Sequence, residues 1–343
     1  MTTVRGQGMQ PTLEEVGEVA GVSRATVSRV VNGSPRVSPD AKKAVERAIR
    51  KLGYTPNPAA RALVTKRTDT IALVISEPET RVFSDPFFLE VVRGISSVID
   101  GTQLQIVLLL ANGARGHEKV ERYVRQGHVD GVVLISLHGA DPLPRMLAKA
   151  NMPTVLLGRV LGRPATIPSV DVDNREGARE AAEYLVSLGR KTIATITGPL
   201  DMCAGVDRRD GFRDAMKAAG RRANDGLVVT GDFGEDSGYR GMTRILRRHP
   251  DVDGVFAASD LMAAGALRAL REAGRTVPDD VAVVGFDDAP LARHTTPPLT
   301  TMRQPMDDVA RAMAELLLRQ IDEGPSRGDL VVCPATLVRR ESA

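Results

Sequence analysis

Ala25, Thr26, Ser28, Arg29 and Asn32 fall at spacings that put a guanidinium, two hydroxyls and an amide on one helix face. Such a face makes hydrogen bonds outward and breaks no covalent bond. It lies in Thr12–Gly33, TLEEVGEVAGVSRATVSRVVNG, whose local signals supply the helix it needs. Thr12 followed by Glu15 predicts a capping box opening a short helix. Gly21 breaks that helix, and Ser23 caps the second. Two short helices joined by a glycine turn form a helix-turn-helix, whose second helix enters the DNA major groove. Bond-making chemistry finds little support. His117, His128, His138, His249 and His294 have no metal-ligand spacing and read as surface or loop residues. The chain has no Gly-x-Ser-x-Gly elbow and no phosphate loop, and the pair Asp287-Asp288 is weak evidence for catalysis on its own. No enzyme and no cofactor is expected.

A third helix follows. Ser38-Pro39 is a cap with proline at the first helical position. Ala41, Ala44, Val45, Ala48, Ile49 and Leu52 then repeat at the spacing of one buried face, and Gly53 ends the run. Next comes Tyr54-Thr55-Pro56-Asn57-Pro58-Ala59-Ala60-Arg61-Ala62-Leu63. An isolated helix this short is marginal in water, so it reads as an element that orders on binding, or as a plain linker.

With Ala20-Gly21-Val22-Ser23 and Thr26-Val27-Ser28-Arg29-Val30, this N-terminal region resembles the DNA-binding head of the lactose-repressor (LacI/GalR) family of bacterial transcription regulators. The resemblance implies that Arg24, Ala25 and Arg29 read bases, with Arg36 at the loop edge. It gives Ser23, Thr26, Ser28, Asn32 and Tyr54 to the phosphates and adds Leu13 and Asn57 to the DNA-contacting set. Leu63 matches the family's hinge leucine, which wedges into the minor groove and kinks the duplex. Gly17 departs from the pattern, since a mid-helix glycine costs about 1 kcal/mol relative to alanine unless close packing requires it.

Composition agrees with a basic head on a different body. The chain has 343 residues and a net charge of +3, of which residues 1–67 carry +7 and the remainder −4. A phosphate-binding module attached to a sensor has this asymmetry. Cys203 and Cys333 are the only cysteines, without metal-ligand spacing, so neither a disulfide framework nor a metal site is expected. The N-terminus lacks an apolar run, and no stretch approaches a membrane span. A cytoplasmic, nucleoid-associated protein is expected, which weighs against an exported sugar-binding protein.

From Asp69 onward short apolar runs alternate with helical stretches. Ile71–Ile75, Gln105–Leu110 and Val132–Ile135 read as strands, then Ser169–Val172. After a helix at Asn174–Leu188 the alternation resumes at Ile193–Thr197, Leu227–Val229, Val255–Ala257 and Val281–Val284. Such alternation implies parallel sheets with right-handed crossovers, and two runs imply two doubly wound lobes. The fold class is therefore α/β. A three-helix helix-turn-helix head is joined by a hinge helix to two parallel-sheet lobes, similar to the type I periplasmic-binding-protein-like body of the family. The expected division is a disordered N-terminus at 1–11, the DNA-binding domain at 12–56, the hinge helix and linker at 57–67, and an effector-binding and dimerisation domain at 68–343. Within it the N-lobe takes residues 68–172 and 303–331 and the C-lobe 173–302 and 332–343, with crossings near Asp173, Met302 and Val332.

Ligands of open parallel sheets collect beyond the carboxyl ends of the strands. The resemblance puts effector contacts at Phe87 and Phe88, which serve equally well as core. It adds Arg208, three residues before Gly211-Phe212, although Val206 stands where some sugar-binding relatives carry a further arginine. Phe233 matches a ring stacked on ligand, and Asp287 matches a contacting carboxylate. Ser259 is a candidate beside Asp260, which reads as the cap of a helix beginning at Leu261. Gln304 sits at a lobe crossing. A carboxylate accepts two sugar hydroxyls and an arginine donates two hydrogen bonds, so a mono- or oligosaccharide suits this set. Val74-Ile75-Ser76-Glu77 and Gly198-Pro199-Leu200-Asp201-Met202 look like actinobacterial regulators of the cellobiose-sensing kind, with a nucleoside or another metabolite as alternatives. No leucine heptads follow the last lobe, so a homodimer on a pseudo-palindromic operator is expected. Release of the operator by effector is the expected sign, with a corepressor as the alternative.

Overall fold

The computed structural model describes residues 11–31, 34, 36–55, 67–162, 166–221, 226–326 and 328–343. Asn32, Asn57 and Leu63 lie outside the described residues, as does most of the expected hinge segment. The chain divides into two compact units, 1–68 and 69–343.

The first unit is built from helices α1 (Leu13–Ala20), α2 (Arg24–Val31) and α3 (Pro39–Leu52). Thr12 and Glu15 form a reciprocal capping box, and Gly21 closes α1 in the left-handed conformation at φ 67°. Ser23 accepts the amide of Thr26 at 3.2 Å. Ser38 caps α3 with Pro39 behind it. Val16, Val27, Val45 and Ala48 are buried at the centre. The unusual Gly17 has a packing reason: a methyl group there would stand 2.9 Å from the carbonyl oxygen of Val22. The tight approach of α1 to the turn after it requires the missing side chain.

The second unit holds two six-stranded sheets. In one, β1 (Thr70–Ile75), β2 (Gln105–Leu110), β3 (Gly131–Ile135), β4 (Thr154–Leu157), β5 (Ser169–Val172) and β11 (Leu330–Cys333) lie in the order β11-β5-β4-β3-β1-β2. In the other, β6 (Ile193–Thr197), β7 (Val228–Thr230), β8 (Gly254–Ala257), β9 (Ala282–Asp287), β10 (Thr300–Arg303) and β12 (Thr336–Val338) lie in the order β12-β10-β9-β8-β6-β7. Every pairing is parallel except β12 on β10. The strands β1, β3, β6 and β8 are buried almost throughout, so their sequences run apolar without alternation. β4, β10, β11 and β12 are absent from the sequence reading.

Helices α4 (Glu79–Ser84) and α5 (Pro86–Ile99) follow β1. Helix α8 (Asn174–Ser187) takes the chain from the first sheet into the second, and α9 (Cys203–Ala218) packs on it. Because β10 belongs to the second sheet and β11 to the first, the later crossings fall at 304–305 and 334–335. The expected crossings at Met302 and Val332 are each about two residues early, since both residues are still paired in strands.

Candidate functional site

The carboxyl ends of both sheets face a shared cleft, and the cavity in it measures about 100 Å3. Phe87, Phe88, Arg208, Phe233, Ser259, Asp287 and Gln304 all line it. Arg208 is buried on α9. Its Nε donates to Asn174 Oδ1 at 2.8 Å, and its Nη1 donates to the Ala258 carbonyl at 2.7 Å and to Asp287 Oδ1 at 3.4 Å. The guanidinium carbon lies 3.6 Å from the Phe286 ring centroid and 5.5 Å from that of Phe233. Burial pulls the Arg208 guanidinium below its ordinary value, and the carboxylates of Asp287 and Asp171 offset this only in part. Burial also pushes the Asp287 carboxyl up to about 6, with Arg208 pulling the other way. The site thus has one strong donor and one strong acceptor held side by side, which suits neighbouring hydroxyls on a neutral polyol.

Three residues around this cavity hold left-handed backbone without being glycine: Ser136 at φ 61°, Phe233 at 68° and Asp287 at 122°. Such conformations cost roughly 1–3 kcal/mol each and collect where a site demands a fixed side-chain direction. The Phe233 ring is further shaped by Gly198, where a methyl group would come within 2.1 Å of the ring. Phe88 is buried in the core and also faces the cavity, in an edge-to-face pair with Phe87 at 5.3 Å between centroids.

Ser259 and Asp260 differ from the sequence expectation. The helix α11 (Asp260–Glu272) begins one residue earlier, and Ser259 is its cap, accepting the Met262 amide at 3.1 Å. Its hydroxyl donates to the Phe233 carbonyl at 2.8 Å, so Ser259 fixes the ring-bearing loop. Asp260 is buried, accepting the Thr301 hydroxyl at 2.5 Å and the Ala289 amide at 2.7 Å.

Several contacts join the two lobes around the cleft. Arg81 donates to the Asp232 carbonyl at 2.8 Å. His138 hydrogen-bonds Glu77 at 3.0 Å and Asp201 at 3.0 Å, and the Gly139 amide donates to the Asp201 carbonyl at 2.7 Å. Arg159 donates to Asp171 at 2.7 Å and pairs with Asp207. His138 stands in a loop, as expected from sequence, and there it is also a partly buried link between lobes.

In the first unit Arg24, Ala25, Arg29 and Arg36 are exposed, while Thr26 and Ser28 are half-buried. Arg24 pairs with Glu14 at 3.0 Å, both exposed, an interaction worth about 0–1 kcal/mol and easily exchanged for another anion. Ser23 shares its hydroxyl with Thr26 at 3.0 Å. Leu13 and Tyr54 pack half-buried against the head core, and burial raises the Tyr54 phenol above its ordinary value.

Residues 12–57 match the model of the lacI family of bacterial regulatory proteins, and residues 169–343 match the periplasmic binding protein-like domain. Over 334 residues the chain is 49% identical to the HTH-type transcriptional regulator CelR of Thermobifida fusca, covering 97% of this chain and 98% of that one. The chain belongs to the lacI family. It is a DNA-binding transcription regulator and not an enzyme. The ribose operon repressor of Escherichia coli is 34% identical, with 97% of this chain and 99% of that one covered. Among solved structures, the transcriptional regulator CelR-cellobiose complex superposes with a TM-score of 0.78 at 47% identity, covering 97% and 100% of the two chains. The lac repressor dimer bound to operator and the anti-inducer ONPF gives 0.86 at 27% identity, covering 97% and 99%.

For this lacI-family chain the cavity also brings together residues that the sequence reading leaves out. Asp171 and Asn174 flank the first crossing, Arg159 follows β4, and Arg81 is on α4. The motif Asp171-Val172-Asp173-Asn174 at a strand end was the available signal for the first pair. Arg159 had none, since it stands in the turn after β4, a strand absent from the sequence reading.

Proposed function

We propose that this regulator is a dimeric repressor whose grip on a pseudo-palindromic operator is released by a neutral saccharide, most simply a gluco-disaccharide, held in the inter-lobe cleft. The observation that carries the reading is the buried Arg208 beside Asp287 in a cavity faced by Phe233. Guanidinium and carboxylate match adjacent hydroxyls, and the ring offers a face to the apolar side of a pyranose. The solved CelR-cellobiose complex, alike over nearly the whole chain, supports the same ligand class. Pairing of two copies is supported by exposed apolar residues, Phe83 and Leu89 on α4 and α5 and Leu330–Val332 on the edge strand β11.

On this reading Arg24, Ala25 and Arg29 contact bases, and Ser23, Thr26, Ser28, Asn32 and Tyr54 contact phosphates, with Leu13, Arg36 and Asn57 beside them and Leu63 in the minor groove. Ligand in the cleft changes the angle between lobes and thereby the spacing of the two heads. The protein works in the cytoplasm, at the nucleoid. Thermal-shift measurements on the purified chain against glucose, cellobiose, ribose and a nucleoside panel test the ligand class. A ligand at a hundred times its Kd adds roughly 2.7 kcal/mol. Stabilisation by cellobiose is expected; stabilisation by a nucleoside alone would overturn the saccharide assignment.

A further inference from the structure

Behind the cavity lies a second chamber of about 910 Å3, and Arg159 and Cys203 line both. Arg159 stands in the turn after β4. Its Nε donates to Asp171 Oδ2 at 2.7 Å, and its Nη2 pairs with the carboxylate of Asp207. Asp171 faces the inner cavity and Asp207 the outer chamber, so this three-residue row is the wall between them. It also joins the lobes, since Asp171 is on β5 of the first sheet and Asp207 is on α9 beside the second.

We propose that the Arg159–Asp207 pair is the length selector of the effector site, closing the inner cavity at one end and setting how many sugar residues a bound saccharide may have. The proposal rests on the saccharide reading above. The outer chamber, though largely apolar, offers polar groups that further sugar residues could meet. Arg145, Lys149 and Thr166 line it, and Ser169 on its wall has a buried hydroxyl with no hydrogen-bond partner among the described residues. A chain long enough to reach it must displace the guanidinium from Asp207. That leaves the partly buried Asp207 carboxylate without its guanidinium and Arg159 with Asp171 alone, a cost that a ligand ending inside the inner cavity avoids. The wall, and not lack of space beyond it, is what rejects the longer ligand.

The test is calorimetric titration of the full-length chain with cellobiose, cellotriose and cellotetraose, in the wild type, Arg159→Ala and Asp207→Asn. The readout is the ratio of affinities, from which any general weakening of the cleft cancels. Wild type is expected to favour the disaccharide over the two longer sugars by at least about tenfold, and either variant to bring that ratio to about threefold or below. Equal binding of all three by wild type overturns the proposal, as does an unchanged ratio in both variants. Loss of cellobiose binding from both folded variants also overturns it, because the pair would then hold the ligand instead of selecting it. Wild type that binds none of the three defeats the saccharide reading itself.

Discussion

Gln304 donates its side-chain amide to Asp287 Oδ1 across 2.6 Å, tying a residue of the second lobe crossing to the acidic pole of the cavity. A ligand hydroxyl that takes up Asp287 therefore competes with, or shares, the bond that fixes this crossing. Gln304→Leu should weaken effector binding by about 1–3 kcal/mol, because Asp287 loses a partner. It should reduce the effect of ligand on operator affinity by a larger factor. Paired titrations with ligand and with operator separate the two losses, and equal losses would make Gln304 a simple contact.

Arg208 and Asp287 bear more directly on the ligand. Truncating one partner of a buried hydrogen-bonded charge pair costs roughly 2–5 kcal/mol of binding. Arg208→Ala and Asp287→Ala should hold a reporter gene repressed at any inducer concentration. Either residue also has a structural share, since Arg208 bonds Asn174 and the Ala258 carbonyl. Circular dichroism and operator affinity on the same preparations distinguish unfolding from insensitivity. A folded variant that responds at the normal inducer concentration removes that residue from the site.

His138 gives the cleft a pH dependence of definite sign. The hydrogen bond to Glu77, opposed by burial and aided by Asp201, raises its pKa above the ordinary 6.5. Burial pushes the Glu77 carboxyl up, but His138, Arg81 and Ser136 outweigh it and hold it below its usual value. A raised histidine contributes stability that is fully present below pH 6.5 and disappears as pH rises through the shifted value. Asp287 has the same sign, but its window ends near pH 6, where its own raised value lies. Thermal melts between pH 6.5 and 8.5 should therefore show a decline that His138→Gln flattens. The same decline in both proteins would rule out His138 as its source.

Arg29 tests the recognition face. If it reads a base edge, Arg29→Ala costs about 1–3 kcal/mol at one base pair and relaxes specificity there, whereas removing a cation of the 57–67 linker by Lys66→Ala, outside the described residues, weakens all sequences nearly equally. Gel-shift titrations over operator variants report the difference, and a uniform loss for Arg29→Ala would refute its role.

The parts of this chain legible in the sequence are those written locally. Thr12 and Glu15, Gly21, and Ser38 with Pro39 mark helix ends through contacts within a few residues. The long apolar runs of β1 and β3 mark buried strands. The cavity residues lie beyond strand ends, so strand-helix alternation locates them once the resemblance says what to look for. What escaped depends on distant partners. His138 meets Glu77 and Asp201, 61 and 63 residues away, and Arg159 meets Asp207, 48 residues away. No periodicity encodes such pairings. The Ser259 cap was misread for a smaller reason, since adjacent Ser and Asp are both good caps and only the fold chooses between them.

The central claim is that the cleft and the head are coupled, and binding free energies make that coupling reciprocal. The direct measurement uses the full-length protein and an operator obtained by in vitro selection. Fluorescence anisotropy gives the operator Kd with and without saturating cellobiose, and calorimetry gives the cellobiose Kd with and without operator. Cellobiose is expected to weaken operator binding, and operator to weaken cellobiose binding by the same factor. An operator Kd unchanged by saturating cellobiose would contradict the coupling.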